Sequence, residues 1–176
     1  MIVPVLESKR LVLKPLSHEF LSQKYVDWLN DSDVNKYLES GGDYNISKLD
    51  LYLKDVENKK ILFWAINVNN IHIGNIKIDP ICFKHHNAEY GIMMGDKKEW
   101  GKGYAKEASD LVISYCFKQL KLHKITLGVI EDNLSAVNLY KKLNFKVEGR
   151  LVNHVVHGFK FYNVLRMAIF NKNFQL

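Results

Sequence analysis

The sequence is poor in the residue types that mark secreted, metal-thiolate and membrane proteins. Its 176 residues include only two cysteines, Cys82 and Cys116, so we expect no disulfide framework and no thiolate metal site. Both thiols are predicted to lie in the core. No apolar run approaches the roughly 18 residues of a membrane span, and residues 1–10 lack the basic-then-apolar order of a signal peptide. We therefore expect a cytoplasmic protein without a membrane partner and without a bound metal.

Arginine is also scarce, which limits the ligands that the positive charge could serve. The net charge is +6, and three of the 25 basic residues are arginine. The whole excess lies in residues 89–176, which carry 14 basic and 8 acidic residues. An anionic partner is one reading, either a nucleic acid or a phosphorylated small molecule, and a solvated lysine-rich surface is the other. Nucleic acid is not expected, because arginine is the usual reader of guanine and no basic cluster alternates with aromatics.

The order of predicted elements indicates one mixed α/β domain over residues 1–176. Hydrophobic residues make up 47% and charged residues 25%, as in ordinary globular proteins. Helices are predicted to begin at Ser17, Ser47, Gly103 and Asn133, and residues 30–45 are predicted to be irregular. Strands are predicted at 10–16, 61–68, 71–78, 89–94, 124–130, 147–157 and 159–170, with turns at Asn69-Asn70 and Gly158.

A glycine-rich turn lies between a predicted strand and a predicted helix. It reads Trp100-Gly101-Lys102-Gly103-Tyr104-Ala105, and it has no Ser, Thr, Asp or Asn to cap the helix. Glycines let the backbone approach a ligand closely, and the helix dipole favours an anion, so the turn is a candidate pyrophosphate site. The Walker A pattern is absent, and Lys106 replaces the third glycine of a dinucleotide fingerprint. An ordinary glycine turn is the alternative.

A second motif about 30 residues later gives the turn a specific meaning. Residues 133–145 read N-x-x-A-x-x-L-Y-x-x-x-N-F. With the glycine turn, this resembles the GNAT superfamily of acetyl-CoA-dependent N-acetyltransferases, and the RimJ/RimL-type branch in particular. Residues 8–13 resemble that branch's first strand, and residues 88–92 its central strand. The resemblance implies a mixed, mostly antiparallel sheet with helices on both faces. Asn144 replaces the usual glycine, and asparagine is the second choice for the left-handed residue after a helix.

The resemblance also implies where acetyl-CoA, the co-substrate, binds. The turn from Gly101 to Ala105 would hold the pyrophosphate, and two lysines would add positive charge. Backbone groups of the central strand would hold the pantetheine arm, and Asn133 would hydrogen-bond the cofactor, although it could simply cap its helix. The implied cofactor residues are Ile92, Met93, Met94, Trp100, Gly101, Lys102, Gly103, Tyr104, Ala105, Lys106 and Asn133.

Two residues are candidates for the proton transfers that an amine and a thioester require. Tyr140 would donate a proton to the leaving thiolate, whose thiol has a pKa near 8.5; the alternative is a core aromatic. Glu89 would accept a proton from the amine, and the alternative is a surface carboxylate. His85 and His86 are further candidates for the base.

The acceptor amine is left open between two classes. Trp28 to Val34 resembles segments of GNAT enzymes that acetylate amino sugars on nucleotide carriers, which favours an amino sugar. Residues 27–43 instead carry a local net charge of −4, which suits a polyamine or a peptide N-terminus. A non-catalytic acyl-CoA-binding sensor is a further alternative, and a homodimer is compatible with the family. The candidate acceptor residues are Trp28, Asn30, Asp31, Glu39, His85 and His86.

Overall fold

The strands of the protein form one mixed sheet. The computed structural model describes residues 2–38, 41–59 and 61–175. Within these residues eight strands follow the order β1-β2-β3-β4-β5-β6-β8-β7. The strands are β1 (Leu6–Glu7), β2 (Val12–Pro15), β3 (Leu62–Val68), β4 (Ile71–Cys82), β5 (Asn87–Met94), β6 (Lys124–Ile130), β7 (Lys146–His157) and β8 (Lys160–Phe170). The predicted fold class, a mostly antiparallel sheet with helices, is confirmed.

Five α-helices occur in the same described ranges. They are α1 (Gln23–Asn30), α2 (Ser32–Asn35), α3 (Ile46–Lys59), α4 (Tyr104–Lys118) and α5 (Leu134–Lys142). The chain forms two compact units, the first from the described residues of 1–79 and 91–108 and the second from those of 80–90 and 109–176. Strands β4 and β5 and helix α4 therefore contribute residues to both.

The core of the first unit joins α1 and α3 to the inner face of β3. Leu49 and Leu53 of α3 are completely buried, as their helical spacing predicts. The other members of this cluster are Leu16, Phe20, Tyr25, Val26, Trp28, Leu29, Val56, Phe63 and Ala65. Strands β2 and β3 pair antiparallel beneath it, with Leu13 opposite Ile66.

The predicted start of the first helix is wrong. Ser17 makes no side-chain capping bond, and only a 3-10 turn follows it. The turn ends because the backbone at Leu21 is extended, and α1 begins after Ser22, whose side chain accepts a hydrogen bond from the Tyr25 N–H. Two equivalent serines stand near this helix, and the extended backbone between them decides which one caps it.

The next helix starts are also shifted by local side-chain caps. The Asn45 side chain accepts from the Lys48 N–H at 2.9 Å, so α3 begins at Ile46 instead of after Ser47. Asp31 caps the short α2 inside the segment that was predicted to be irregular. Both caps use residues that also favour turns, which is why the pattern did not distinguish them.

The second unit contains β6, β8 and β7 as an antiparallel set, with β5 beside β6. Strands β5 and β6 are parallel, and their paired residues are Asn87–Glu89 with Lys124–Thr126. Beyond this ladder β5 runs on to Met94 and β6 to Ile130. The predicted hairpin is present, because β7 and β8 pair up to His157 and Lys160 around Gly158.

The turn residues behave as their chemistry predicts. Asn69, Asn70 and Asn144 all have positive φ, at 49°, 62° and 69°. Asparagine tolerates this left-handed region better than most side chains. The cysteines differ from each other: Cys116 is buried as predicted, whereas Cys82 at the end of β4 is only partly buried, so its assignment to the core is wrong.

Candidate active site

The glycine turn adopts the left-handed backbone that its two glycines permit. Gly101 has φ 75° and Gly103 has φ 84°, values that residues with a side chain rarely adopt. The Gly103 carbonyl accepts the first α4 hydrogen bond from the Glu107 N–H at 3.1 Å. Gly103 offers no side-chain cap, and the positive end of the α4 dipole lies at this turn. The arrangement suits a bound phosphate group.

Arg10 contacts the turn through its guanidinium, a role that its local sequence does not indicate. Its guanidinium donates to the Lys102 carbonyl at 3.1 Å and to the Glu107 carboxylate at 2.7 Å. It also lies 4.6 Å from the centre of the Tyr104 ring. The partners are more than 90 residues apart in sequence, so no local pattern could reveal them.

The side chains of the turn itself are tied to protein groups. Lys102 forms an ion pair with Glu99 at 2.9 Å. The Trp100 indole N–H donates to the Met94 carbonyl at 2.8 Å, which joins the turn to the end of β5. Trp100 remains 43% exposed to solvent. The assignment of these residues to acetyl-CoA stays a prediction.

Two glycines allow the last residues of β5 to lie close to their neighbours. A Cβ at Gly74 would clash with the Met93 carbonyl, and a Cβ at Gly95 would clash with the Trp28 indole. The N–H groups of Gly95 and Asp96 both donate to the Ile73 carbonyl at 3.0 Å. These contacts hold the backbone that was predicted to bind pantetheine, and neither glycine belongs to the motifs that the sequence analysis used.

Trp28, a candidate acceptor residue, lies in the core. Its side chain is only 6% exposed, and its ring centre is 4.9 Å from that of His72. Phe20 and Tyr25 complete an aromatic cluster around the same imidazole. Burial lowers the pKa of His72 to about 4, so the imidazole is neutral at physiological pH. Trp28 is therefore a packed core residue, and its assignment to the acceptor stays a prediction.

The charge of the acidic segment, residues 27–43, is partly neutralised by Lys97. The Lys97 ammonium lies 2.6 Å from the Asp31 carboxylate and 3.0 Å from that of Asp33. The hydrogen bond from Lys97 lowers the pKa of Asp31. Asn30 bonds the Tyr44 backbone through both its amide oxygen and its amide nitrogen, at 2.8 Å each. Glu39 lies outside the described residues.

Tyr140 is a buried tyrosine of the second unit, held by aromatic contacts. Its ring centre is 5.9 Å from those of Tyr90 and Phe145, and its side chain is 7% exposed. Burial raises the pKa of Tyr140 to about 12, so its hydroxyl keeps its proton at neutral pH. Asn133 caps α5, because its side chain accepts from the Ala136 N–H at 3.2 Å.

Glu89 is held by the side chains of Arg166 and Thr126, which lie far from it in sequence. The two Arg166 amino groups donate to its carboxylate at 2.8 and 2.7 Å, and the Thr126 hydroxyl donates at 2.7 Å. Burial raises the pKa of Glu89, but these hydrogen bonds outweigh it and hold the pKa below its ordinary value. The carboxylate is therefore ionised at neutral pH.

His85 and His86 line a pocket of the second unit with a volume of about 360 Å³. Lys84, His123 and Phe174 complete its wall. The Lys84 ammonium gives this wall a positive charge, which disfavours a cationic acceptor there. Among the described residues, no group of three or more His, Cys, Asp or Glu side chains could hold a metal ion. No helix in the described ranges is long and apolar enough to cross a membrane.

Comparisons with known proteins show the family and the fold of this chain. Residues 10–146 match the family described as "Acetyltransferase (GNAT) domain". The chain is 30% identical over 164 residues to a spermidine N(1)-acetyltransferase of Escherichia coli K12, a match that covers 92% of this chain and 87% of that protein. It superposes with a TM-score of 0.82 and 26% identity on a Vibrio cholerae spermidine N-acetyltransferase solved with CoA and spermine, covering 93% and 97% of the two chains. A Bacillus anthracis GNAT acetyltransferase shares the fold at a TM-score of 0.84 and 22% identity.

Proposed function

This chain belongs to the GNAT acetyltransferase family, and we propose that the amine it acetylates is a polyamine. The family match over residues 10–146 makes the protein an acetyl-CoA-dependent N-acetyltransferase. The proposal of a polyamine acceptor rests on the similarity to two spermidine acetyltransferases over more than nine-tenths of the chain. Polyamines were one of the two acceptor classes left open, and the relatives fit them better than the favoured amino sugar. The finer placement in the RimJ/RimL-type branch stays a prediction.

Acetyl-CoA binding is assigned to the first unit's glycine turn and the end of β5. The left-handed backbone at Gly101 and Gly103 leaves no Cβ in the way of a pyrophosphate. The α4 dipole and the ammonium groups of Lys102 and Lys106 favour its negative charge. The backbone from Ile92 to Met94 then offers hydrogen-bonding groups to the pantetheine arm, as another strand would.

Tyr140 is assigned to the leaving sulfur. Attack by the amine breaks the carbon–sulfur bond and leaves a thiolate, which a hydrogen bond stabilises. Because burial raises the pKa of Tyr140 to about 12, the hydroxyl is a donor throughout the neutral range. The same shift makes proton transfer from Tyr140 to the sulfur harder than from an ordinary phenol. The hydrogen bond from the hydroxyl therefore stabilises the thiolate until the Tyr140 proton is transferred to it, and Tyr140 then regains a proton from solvent.

Glu89 is assigned to the proton that the amine must lose. A polyamine ammonium has a pKa near 10, like that of a lysine, so it needs an acceptor at neutral pH. The Glu89 carboxylate is ionised because Arg166 and Thr126 donate to it. It accepts the proton directly or through a water molecule, and the product is a neutral amide.

The acidic segment supports a cationic acceptor. Asp27, Asp31, Asp33 and Asp43 lie in a stretch that contains one lysine of its own, Lys36. The Lys97 side chain is 44% exposed, and those of its partners Asp31 and Asp33 are 29% and 69% exposed. Such surface pairs are weak, so another ammonium group can compete with Lys97 for these carboxylates. A polyamine carries several such groups at fixed spacing, whereas a nucleotide-linked amino sugar would bring repelling phosphates.

A thiol-release assay with a panel of amines tests the proposal. The panel contains spermidine, spermine, butylamine as a monoamine control, a nucleotide-linked amino sugar and a peptide with a free N-terminus. We expect kcat/KM for spermidine or spermine to exceed that for butylamine at least tenfold. A higher value for the amino sugar or the peptide would contradict the polyamine. Binding of acetyl-CoA in calorimetry without thiol release from any amine would favour a sensor.

A further inference from the structure

Arg166 is the partner that sets the state of Glu89. Its guanidinium grips the carboxylate with two parallel hydrogen bonds, Nη1 to Oε1 at 2.8 Å and Nη2 to Oε2 at 2.7 Å. Such bidentate pairs fix orientation as well as charge. Thr126, opposite Glu89 in the parallel ladder, adds a third bond to Oε2 at 2.7 Å.

The Arg166 side chain extends across strand β6 to reach Glu89 on β5. Arg166 of β8 is the cross-strand partner of Gly128 on β6, and Glu89 lies on β5, the next strand beyond. A Cβ at Gly128 would stand only 3.1 Å from the Arg166 Nη1 atom. The absence of a side chain at Gly128 therefore leaves room for the guanidinium on its way to the carboxylate.

The other charges of this unit near the pair cancel each other. Arg166 also faces the Glu148 carboxylate of β7, which forms an ion pair with Lys124 of β6 at 2.8 Å. From β6, Thr126 and the Gly128 backbone face Glu89 without charge. Among the described residues of this unit, Arg166 is thus the cation that contacts Glu89.

We propose that Arg166 is a positioning residue of the acetyl transfer, which keeps the Glu89 carboxylate ionised and oriented to accept the proton of the amine. This inference rests on the proposed function, because it needs an amine acceptor. Arg166 itself need not touch either substrate. Loss of Arg166 leaves a half-buried carboxylate with two neutral donors, the Thr126 hydroxyl and the Gly128 backbone. Glu89 would therefore hold a proton at a higher pH than in the parent protein.

The test compares Arg166→Met with Arg150→Met as a matched control. Arg150 lies on the neighbouring strand β7 and also pairs with a carboxylate. Its Nε atom donates to both carboxylate oxygens of Glu131 at 2.9 Å. The measured quantity is kcat/KM of each variant divided by that of the parent, from pH 5.5 to 9, with the best amine of the panel. The ratio cancels the titration of the amine, which is common to all proteins.

We expect the Arg166→Met ratio to fall at least tenfold as the pH drops from 8 to 5.5, because Glu89 becomes protonated and cannot act as a base. The Arg150→Met ratio should stay flat. Titration of the Glu89 carboxyl by ¹³C NMR should show a pKa raised by one unit or more in Arg166→Met alone. A flat ratio for Arg166→Met, or the same fall in both variants, would overturn the proposal.

A second variant guards against a folding defect. Gly128→Ala keeps every charge and displaces the Arg166 guanidinium by a few tenths of an ångström. The kcat/KM ratio of this variant should therefore also fall as the pH drops, but by a smaller factor than that of Arg166→Met. If the Arg166→Met protein does not fold, a Gly128→Ala kcat/KM ratio that does not change with pH would overturn the proposal. If another class of amine proves to be the best substrate, the proposal of a polyamine acceptor is wrong. The pH-dependent ratios are then measured with that amine, so the role of Arg166 is still tested.

Discussion

The Trp100 indole N–H donates to the Met94 carbonyl at 2.8 Å, so the glycine turn is tied to the last residue of β5. The bond fixes the spacing between the two parts of the chain assigned to acetyl-CoA. Trp100→Phe keeps an aromatic ring and removes only the donor. One hydrogen bond contributes about 1 kcal/mol, so we expect the KM for acetyl-CoA to rise about fivefold with little change in kcat. An unchanged KM at full stability would show that the bond does not align the site.

The left-handed turn gives a second prediction. Gly103→Ala adds a Cβ at φ 84°, and the backbone must shift or store strain. We expect acetyl-CoA affinity, measured by calorimetry, to fall at least fivefold. Gly158→Ala is the control, because its φ of 60° carries similar strain at the tip of the β7–β8 hairpin. Equal losses of affinity in both variants would mean that strain alone, not the turn, is responsible.

The acidic segment should act on the acceptor and not on acetyl-CoA. Asp31→Asn with Asp33→Asn removes two charges, and asparagine can still cap α2 at position 31. We expect the spermidine KM to rise several-fold at low salt, and the effect to shrink at high salt, where exposed charges are screened within about 8–10 Å. Initial rates at both salt concentrations measure this.

Two matched variants sharpen that prediction. Lys97→Met removes the ammonium that pairs with both aspartates, so it should lower the spermidine KM. Asp55→Asn removes a carboxylate that pairs with Lys59 on α3 and should leave the KM unchanged. A rise in the KM for acetyl-CoA in the double aspartate variant would contradict the assignment of this segment to the acceptor.

Sequence patterns predicted the elements that depend on neighbouring residues. Hydrophobic spacing located strands β2 to β8 and the buried face of α3, whereas the two-residue strand β1 was not predicted because it is too short to show a pattern. The asparagines at 69, 70 and 144 adopt positive φ because their side chains tolerate it. The helix start at Ser17 failed because two serines compete, and the extended backbone at Leu21 selects Ser22. Local chemistry alone does not choose between two equal caps.

The contacts that organise the candidate site join residues far apart in sequence. Arg10 meets Glu107, and Arg166 meets Glu89, across separations of 97 and 77 residues. Nothing in the local pattern of either arginine indicates such a partner. Trp28 lies in a motif that predicted an acceptor contact, and the packing of α1 that buries it among aromatic rings could not be predicted from that motif.

Tyr140→Phe separates a catalytic hydroxyl from a packing ring. The contacts with Tyr90 and Phe145 are retained, so the fold should keep its stability. We expect kcat to fall by about 10²–10⁴, the range for a lost proton donor, with little change in acetyl-CoA affinity. An acyl donor whose thiol has a lower pKa needs less help and should rescue the variant more than the parent.

Tyr90→Phe is the control for that experiment. The Tyr90 hydroxyl bonds the Ser109 hydroxyl at 2.6 Å, so its loss should cost about 1 kcal/mol of stability and leave kcat near normal. A normal kcat for Tyr140→Phe, with no differential rescue, would remove Tyr140 from the chemistry. A water molecule that replaced the hydroxyl would blunt the fall in kcat but would still leave the rescue.

The most direct test of the central claim is a competition in one tube. Equal concentrations of spermidine, a nucleotide-linked amino sugar and a peptide with a free N-terminus are mixed with limiting acetyl-CoA, and the products are identified by mass spectrometry. Competition reports the ratio of kcat/KM values directly. We predict that N-acetylspermidine accounts for most of the acetyl groups transferred. Acetylation mainly of the amino sugar or the peptide would contradict the polyamine acceptor.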